Sequence, residues 1–242
     1  MLGFGFDPLS LLLTLVGLPL MFLPQLWVKK TYDTFRKQPA RAGLTGAQVA
    51  KQMLANNGIT NVQVEETPGE LSDHYSPMER VVRLSPDNYH GTSIAAATIA
   101  AHEVGHAIQH AKGYWPVVLR GQLAPAFGLG SQLGPLVFGA ALMLNLFMGL
   151  SPELAIPLAV VGIALFGLSV VFHLVTLPVE IDASSRAMVA LKAHHYLSTQ
   201  ELPGAKKVLT AAAMTYVSVA LYSLLQLSYY IIQLGRLQSR EE

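Results

Sequence analysis

Four long stretches of this chain contain no formal charge, and they limit what it can fold into more than any other feature. They are residues 8–28, 121–152, 154–179 and 208–235. A helix needs about 20 apolar residues to cross the hydrocarbon core of a bilayer, and each stretch is long enough. Buried helices of soluble proteins usually run about 10–14 residues, so four blocks of this length read as membrane spans. Charged residues make up 13% of the chain, against about 25% in ordinary soluble domains, and hydrophobic residues make up 52%. That balance excludes disorder. The absence of Cys excludes a disulfide framework. A net charge of +1 gives no field that would recruit nucleic acid.

The first block lacks the basic start and Ala-x-Ala site of a cleavable signal peptide, so an uncleaved span is expected, with Pro19 and Pro24 kinking it. Lys and Arg set the orientation. Fourteen of the 16 basic residues fall in residues 29–120 and 180–207, and the other two are Arg236 and Arg240. Four spans then place both basic segments on the cytoplasmic face.

The expected fold is mainly α: a polytopic membrane protein with about four transmembrane helices and a small α+β cytoplasmic domain. Span one covers 1–28. A cytoplasmic region follows at 29–120, with its key helix at 92–111, and then spans at 121–152 and 154–179. A cytoplasmic segment covers 180–207, and the last span covers 208–235. Within 29–120, Thr45 and Gln48 have the spacing of a capping box, and Gly58 supplies a stop. Residues 61–65 and 79–84 read as strands, with a loop between them. Tyr114 and Trp115 fit an interfacial aromatic belt.

The sharpest chemical signal is His102-Glu103-Val104-Gly105-His106 on the Ala-rich helix. Histidines four apart on a helix are about 40° apart in direction and about 6 Å apart along the axis, so their imidazoles can converge on one ion. Zinc suits imidazole nitrogen, and a catalytic zinc takes a third protein ligand and a water. Glu103 stands where it can act as general base on that water. The expected cofactor is therefore Zn2+, and the expected activity that of a zinc-dependent metalloendopeptidase. Gly105 in mid-helix calls for a close neighbouring backbone or a ligand.

Glu180, just beyond the third block, is the expected third ligand, because two spans return the chain to the same face. Asp182 is a candidate to hold a ligand histidine by its second nitrogen. Arg186 is a candidate to orient Glu180 or Asp182, to contact substrate, or to be a plain surface charge. His110 lies about 12 Å along the helix from His102, too far to share the ion, so it is read as second shell or surface. His74 is a candidate for oxyanion stabilisation or substrate binding, with local hydrogen bonding as the alternative.

The chain resembles the YugP-type neutral zinc metallopeptidases of bacterial membranes over nearly its whole length. The resemblance is carried by Leu71-Ser72-Asp73-His74-Tyr75, by Val82-Arg83-Leu84-Ser85 and by residues 100–110. It continues through Thr176-Leu177-Pro178-Val179-Glu180 and residues 206–212. It implies a multi-span, gluzincin-like zinc peptidase of the bacterial cell membrane, acting on protein or peptide substrates. The layout is also similar to the HtpX-type membrane proteases, in which two spans separate the zinc helix from a ligand Glu. Those have an Asp four residues after the Glu, where this chain has Ser184. Two other readings are a site-2-type intramembrane protease and a catalytically silent zinc-binding scaffold. The first meets an apolar run before His102 too short to cross a bilayer. The second leaves Glu103 without a purpose.

Overall fold

The computed structural model describes residues 7–239. The start of the expected first span (residues 1–6) and Arg240 lie outside the described residues. The elements are α1 (Pro8–Phe35), α2 (Gly46–Asn56), β1 (Gln63–Glu66), β2 (His74–Ser76), β3 (Val81–Leu84), α3 (Pro86–His90), α4 (Ile94–Ala111), α5 (Trp115–Met148), α6 (Pro152–Ala193) and α7 (Leu202–Gln238).

The protein is mainly helical, and α1, α5, α6 and α7 are each long and apolar enough to cross a membrane. Each extends beyond its uncharged block at one end or both, although α5 stops at Met148, short of residue 152. α1 continues through Pro19 and Pro24 to Phe35, and α6 continues through Glu180 to Ala193. Large apolar side chains such as Leu12, Leu15, Phe22 and Leu23 on α1 and Leu136, Met143 and Phe147 on α5 are exposed. Water does not tolerate such extended apolar faces, whereas lipid does.

The chain divides into two compact units. One takes in the described parts of Met1–Leu23, Leu119–Thr176 and Tyr216–Glu242. Its core joins Phe138, Ala141, Ala159, Phe166, Val170 and Tyr230, with Phe138 stacked on Tyr230 at a centroid distance of 4.2 Å. A Cβ on Gly162 would fall 2.5 Å from the backbone nitrogen of Phe138. Glycine here lets helix backbones touch, the usual way in which helices associate without a hydrophobic drive from water.

The other unit is Pro24–Val118 with Leu177–Thr215. Its core gathers Val49, Met53 and Leu54 of α2, Val82 and Leu84 of β3, Ala97, Ala101, Val104 and Ile108 of α4, and Ala187 and Leu191 of α6. α2 begins with the expected capping box: the Thr45 hydroxyl accepts from the Gln48 amide at 3.2 Å, and Gln48 Oε1 accepts from the Thr45 amide at 2.9 Å. Gly58 follows its end at φ +68°, a left-handed conformation that favours glycine.

The sheet has the order β1-β3-β2. β1 and β3 run parallel, with Gln63 opposite Val81. β2, inside the segment read as a loop, pairs antiparallel with β3 and sets His74 opposite Arg83. Asp73 anchors the entry to β2. Its Oδ1 accepts from the Ser85 backbone amide at 2.8 Å and its Oδ2 from Asn88 Nδ2 at 2.8 Å. Asn88 Oδ1 in turn accepts from the Tyr32 hydroxyl at 3.3 Å. This pins the Leu71–Tyr75 segment to β3, α3 and the end of α1.

Candidate metal centre

α4 carries the histidine pair. Ser93 caps it, the Oγ accepting from the Ala96 amide at 3.1 Å, and Gly113 at φ +61° follows its last turn. Ala95, Ala96, Ala97, Ala100, Ala101 and Ala107 are all buried. Alanine favours the helix and leaves room for neighbouring helices to come close. One such close approach is at Gly105, where a Cβ would meet the Ala183 carbonyl oxygen at 2.6 Å. A neighbouring backbone is thus what this mid-helix glycine serves. It brings α6 against the face of α4 that bears the two histidines.

Glu180, one turn before Ala183, is 2% exposed. Its Oε2 lies 3.3 Å from His102 Nε2 and 3.5 Å from His106 Nε2. One ligand atom from each of His102, His106 and Glu180 can be chosen so that all three lie within 4.8 Å of one another. Zinc bonds of about 2.0–2.2 Å to nitrogen and oxygen give a tetrahedron with edges of about 3.3–3.6 Å, and the two nitrogen–oxygen distances match those edges. A charge-assisted hydrogen bond would be shorter, about 2.7–2.9 Å. Two imidazoles and one carboxylate are a donor set that suits catalytic zinc, because they leave the fourth position open.

Glu103, between the histidines, is 8% exposed. Burial pushes its carboxyl pKa up, while the neighbouring His102 and His106 pull it down less strongly. The imidazoles of His102 and His106 meet edge to face at 4.8 Å. His102 Nδ1 lies 3.3 Å from the Ser184 hydroxyl on α6, and His106 Nδ1 lies 3.1 Å from Gln109 Oε1.

Asp182 meets neither imidazole directly. Its Oδ2 accepts from Gln109 Nε2 at 2.8 Å and from Arg186 Nε at 2.6 Å. The Arg186 guanidinium also lies 5.9 Å from the centre of the Tyr114 ring. His110 packs its ring 5.5 Å from that of Tyr75. His74 is exposed on β2, and its Nδ1 lies 2.8 Å from the Ser72 carbonyl, the local hydrogen bonding considered as its alternative.

Two contacts of this centre escaped sequence reasoning. Gln109 follows His106 by three residues, so it shares its helix face, and Ser184 follows Glu180 by four. That periodicity was the available signal. Neither residue carries a charge, and the bonds of Gln109 to α6 and of Ser184 to His102 exist only once α4 and α6 meet.

The sequence matches the family described as "Putative neutral zinc metallopeptidase" over residues 10–235, and the chain belongs to that family. It is 41% identical over 224 residues to the "Putative membrane protease YugP" of Bacillus subtilis (strain 168), covering 93% of this chain and 96% of that relative. No solved structure matches. The family and the donor set agree on zinc as the cofactor.

Proposed function

We propose that the protein is a multi-pass membrane zinc metalloendopeptidase that hydrolyses peptide bonds of membrane or unfolded proteins on the cytoplasmic face. The observation that carries this reading is the convergence of His102 Nε2, His106 Nε2 and Glu180 Oε2 on one zinc-sized space beside the buried Glu103. His102, His106 and Glu180 would hold the metal. Zinc bound there would supply Lewis acidity toward a water and a substrate carbonyl. Glu103 takes a proton from the attacking water as the new C–O bond forms. It returns that proton to the amide nitrogen as the C–N bond breaks, so the products are a carboxylic acid and an amine. Because the site is buried, the proton moves over a short path shielded from bulk water.

The family's name and that of the Bacillus relative support protease chemistry. The four apolar helices and the distribution of Lys and Arg support the membrane setting and its orientation. The test is purification in detergent, metal analysis, and cleavage of an unfolded casein-type substrate. One zinc per chain and cleavage abolished by a chelator and restored by zinc are expected. Stoichiometric zinc with no hydrolysis of any protein substrate would favour the silent scaffold.

A further inference from the structure

Building on the assignment of His106 as a zinc ligand, we infer that Gln109 is the residue that positions it. Gln109 fixes which imidazole nitrogen carries the proton and ties that imidazole to the helix supplying Glu180.

Gln109 is 0% exposed, so each of its polar atoms needs a partner inside the protein. Nε2 lies 2.7 Å from the Val179 carbonyl oxygen and 2.8 Å from Asp182 Oδ2. A carbonyl can only accept. The Asp182 carboxylate also only accepts, held by Arg186 at 2.6 Å and 3.2 Å. The amide must therefore turn its NH2 toward α6, because the flipped amide would set oxygen against two oxygens and forfeit both bonds. Oε1 is left facing His106 Nδ1 at 3.1 Å, and since oxygen accepts, Nδ1 must carry the hydrogen. A neutral imidazole has one N–H, so Nε2 keeps its lone pair. Nε2 is the atom 3.5 Å from Glu180 Oε2, and a free lone pair there is what metal binding requires.

His102 has no such device. Its Nδ1 faces the Ser184 hydroxyl at 3.3 Å, and a hydroxyl donates or accepts equally well. Gln109 is thus the group that dictates a tautomer, through a chain running Arg186, Asp182, Gln109, His106. Such partners commonly change metal affinity about 10–100-fold when removed. A plain strut between α4 and α6 would affect stability and leave the tautomer alone.

The test measures zinc affinity of the full-length protein in detergent by chelator competition, alongside 15N spectra of the histidine rings in the metal-free protein. Gln109→Met is expected to weaken zinc by about 10–100-fold and to release His106 from the Nδ1–H form expected of the wild type. Gln109→Glu keeps an oxygen facing Nδ1 but sets its other oxygen against the Val179 carbonyl and Asp182, so it is expected to keep His106 in the Nδ1–H form while losing the tie to α6. Wild-type affinity in a folded Gln109→Met, or an Nε2–H ring at His106 in the wild type, overturns the proposal. If Gln109→Met fails to fold, the wild-type spectrum and the His106 ring in Gln109→Glu decide. His106→Ala is the control for the underlying assignment. Full zinc retention there would remove His106 from the site altogether. Lost zinc there, with wild-type affinity in Gln109→Met, would dismiss Gln109 alone.

Discussion

The backbone of α4 at Gly105 and the carbonyl oxygen of Ala183 on α6 come so close that a single methyl group would stand 2.6 Å from that oxygen. The pair sets the spacing between the helix that bears His102 and His106 and the one that bears Glu180. Gly105→Ala gains about 1 kcal/mol in helix propensity, but overpacking against a neighbouring element costs about 1–3 kcal/mol. A helix carbonyl cannot swing aside as a side-chain tip can, so the clash wins. The variant should melt at a lower temperature and hold zinc about tenfold or more weakly, by thermal unfolding and chelator competition. Unchanged zinc affinity would mean that the spacing does not matter to the site.

Glu103→Gln removes the proposed proton acceptor and preserves shape and the proposed metal ligands. Cleavage should fall by about 10²–10⁴-fold, with metal analysis still finding one zinc per chain. Retained turnover would refute the assignment of Glu103 as the base.

Glu201, between α6 and α7, is buried. Its Oε1 accepts from the Arg41 backbone amide at 2.8 Å and its Oε2 from the Ser198 amide at 2.7 Å. Burial works against its charge, but the hydrogen bonds from Ser198 and Arg41 outweigh this and hold its pKa below the ordinary carboxylate value. A lowered folded-state pKa stabilises the protein above the ordinary value and loses that contribution as pH falls through the lowered one. Glu201→Gln should therefore destabilise by about 1–3 kcal/mol at neutral pH, and the gap should close on acidification. A pH-independent gap in denaturant melts would contradict this.

The chain has no cysteine, so single cysteines report orientation cleanly. Lys51 and Ser151 are both exposed. Lys51→Cys should react with an impermeant maleimide only after the cells are opened, and Ser151→Cys should react in intact cells. The reverse pattern would invert the topology.

The zinc helix and the capping box of α2 were legible because each rests on local spacing: His at i and i+4, Thr and Gln at i and i+3. β2 and α3 were not. Three and five residues are too few to show a period, and β2 is a strand because β3 offers it a partner at Arg83, Val82 and Val81. The end of α6 was also misleading. Glu180, Asp182 and Arg186 look like the charged close of a span, but the helix continues to Ala193. Asp182 and Arg186 pair one turn apart, and Glu180 turns inward to the histidines. Asp182 has the right chemistry to orient a histidine, yet the structure sets the neutral Gln109 between them, a residue whose role no charge pattern announces.

The two halves of the centre are made at different moments. Contacts that tie α4 to α6 join residues 73 and 82 positions apart, Gln109 with Asp182 and His102 with Ser184. A chain grows from its N-terminus, so α4 leaves the ribosome with two imidazoles and no carboxylate to complete them. All of α5 and most of α6 must be synthesised before Glu180 exists. The metal-binding set is thereby kept incomplete until α1, α5 and most of α6 have been made.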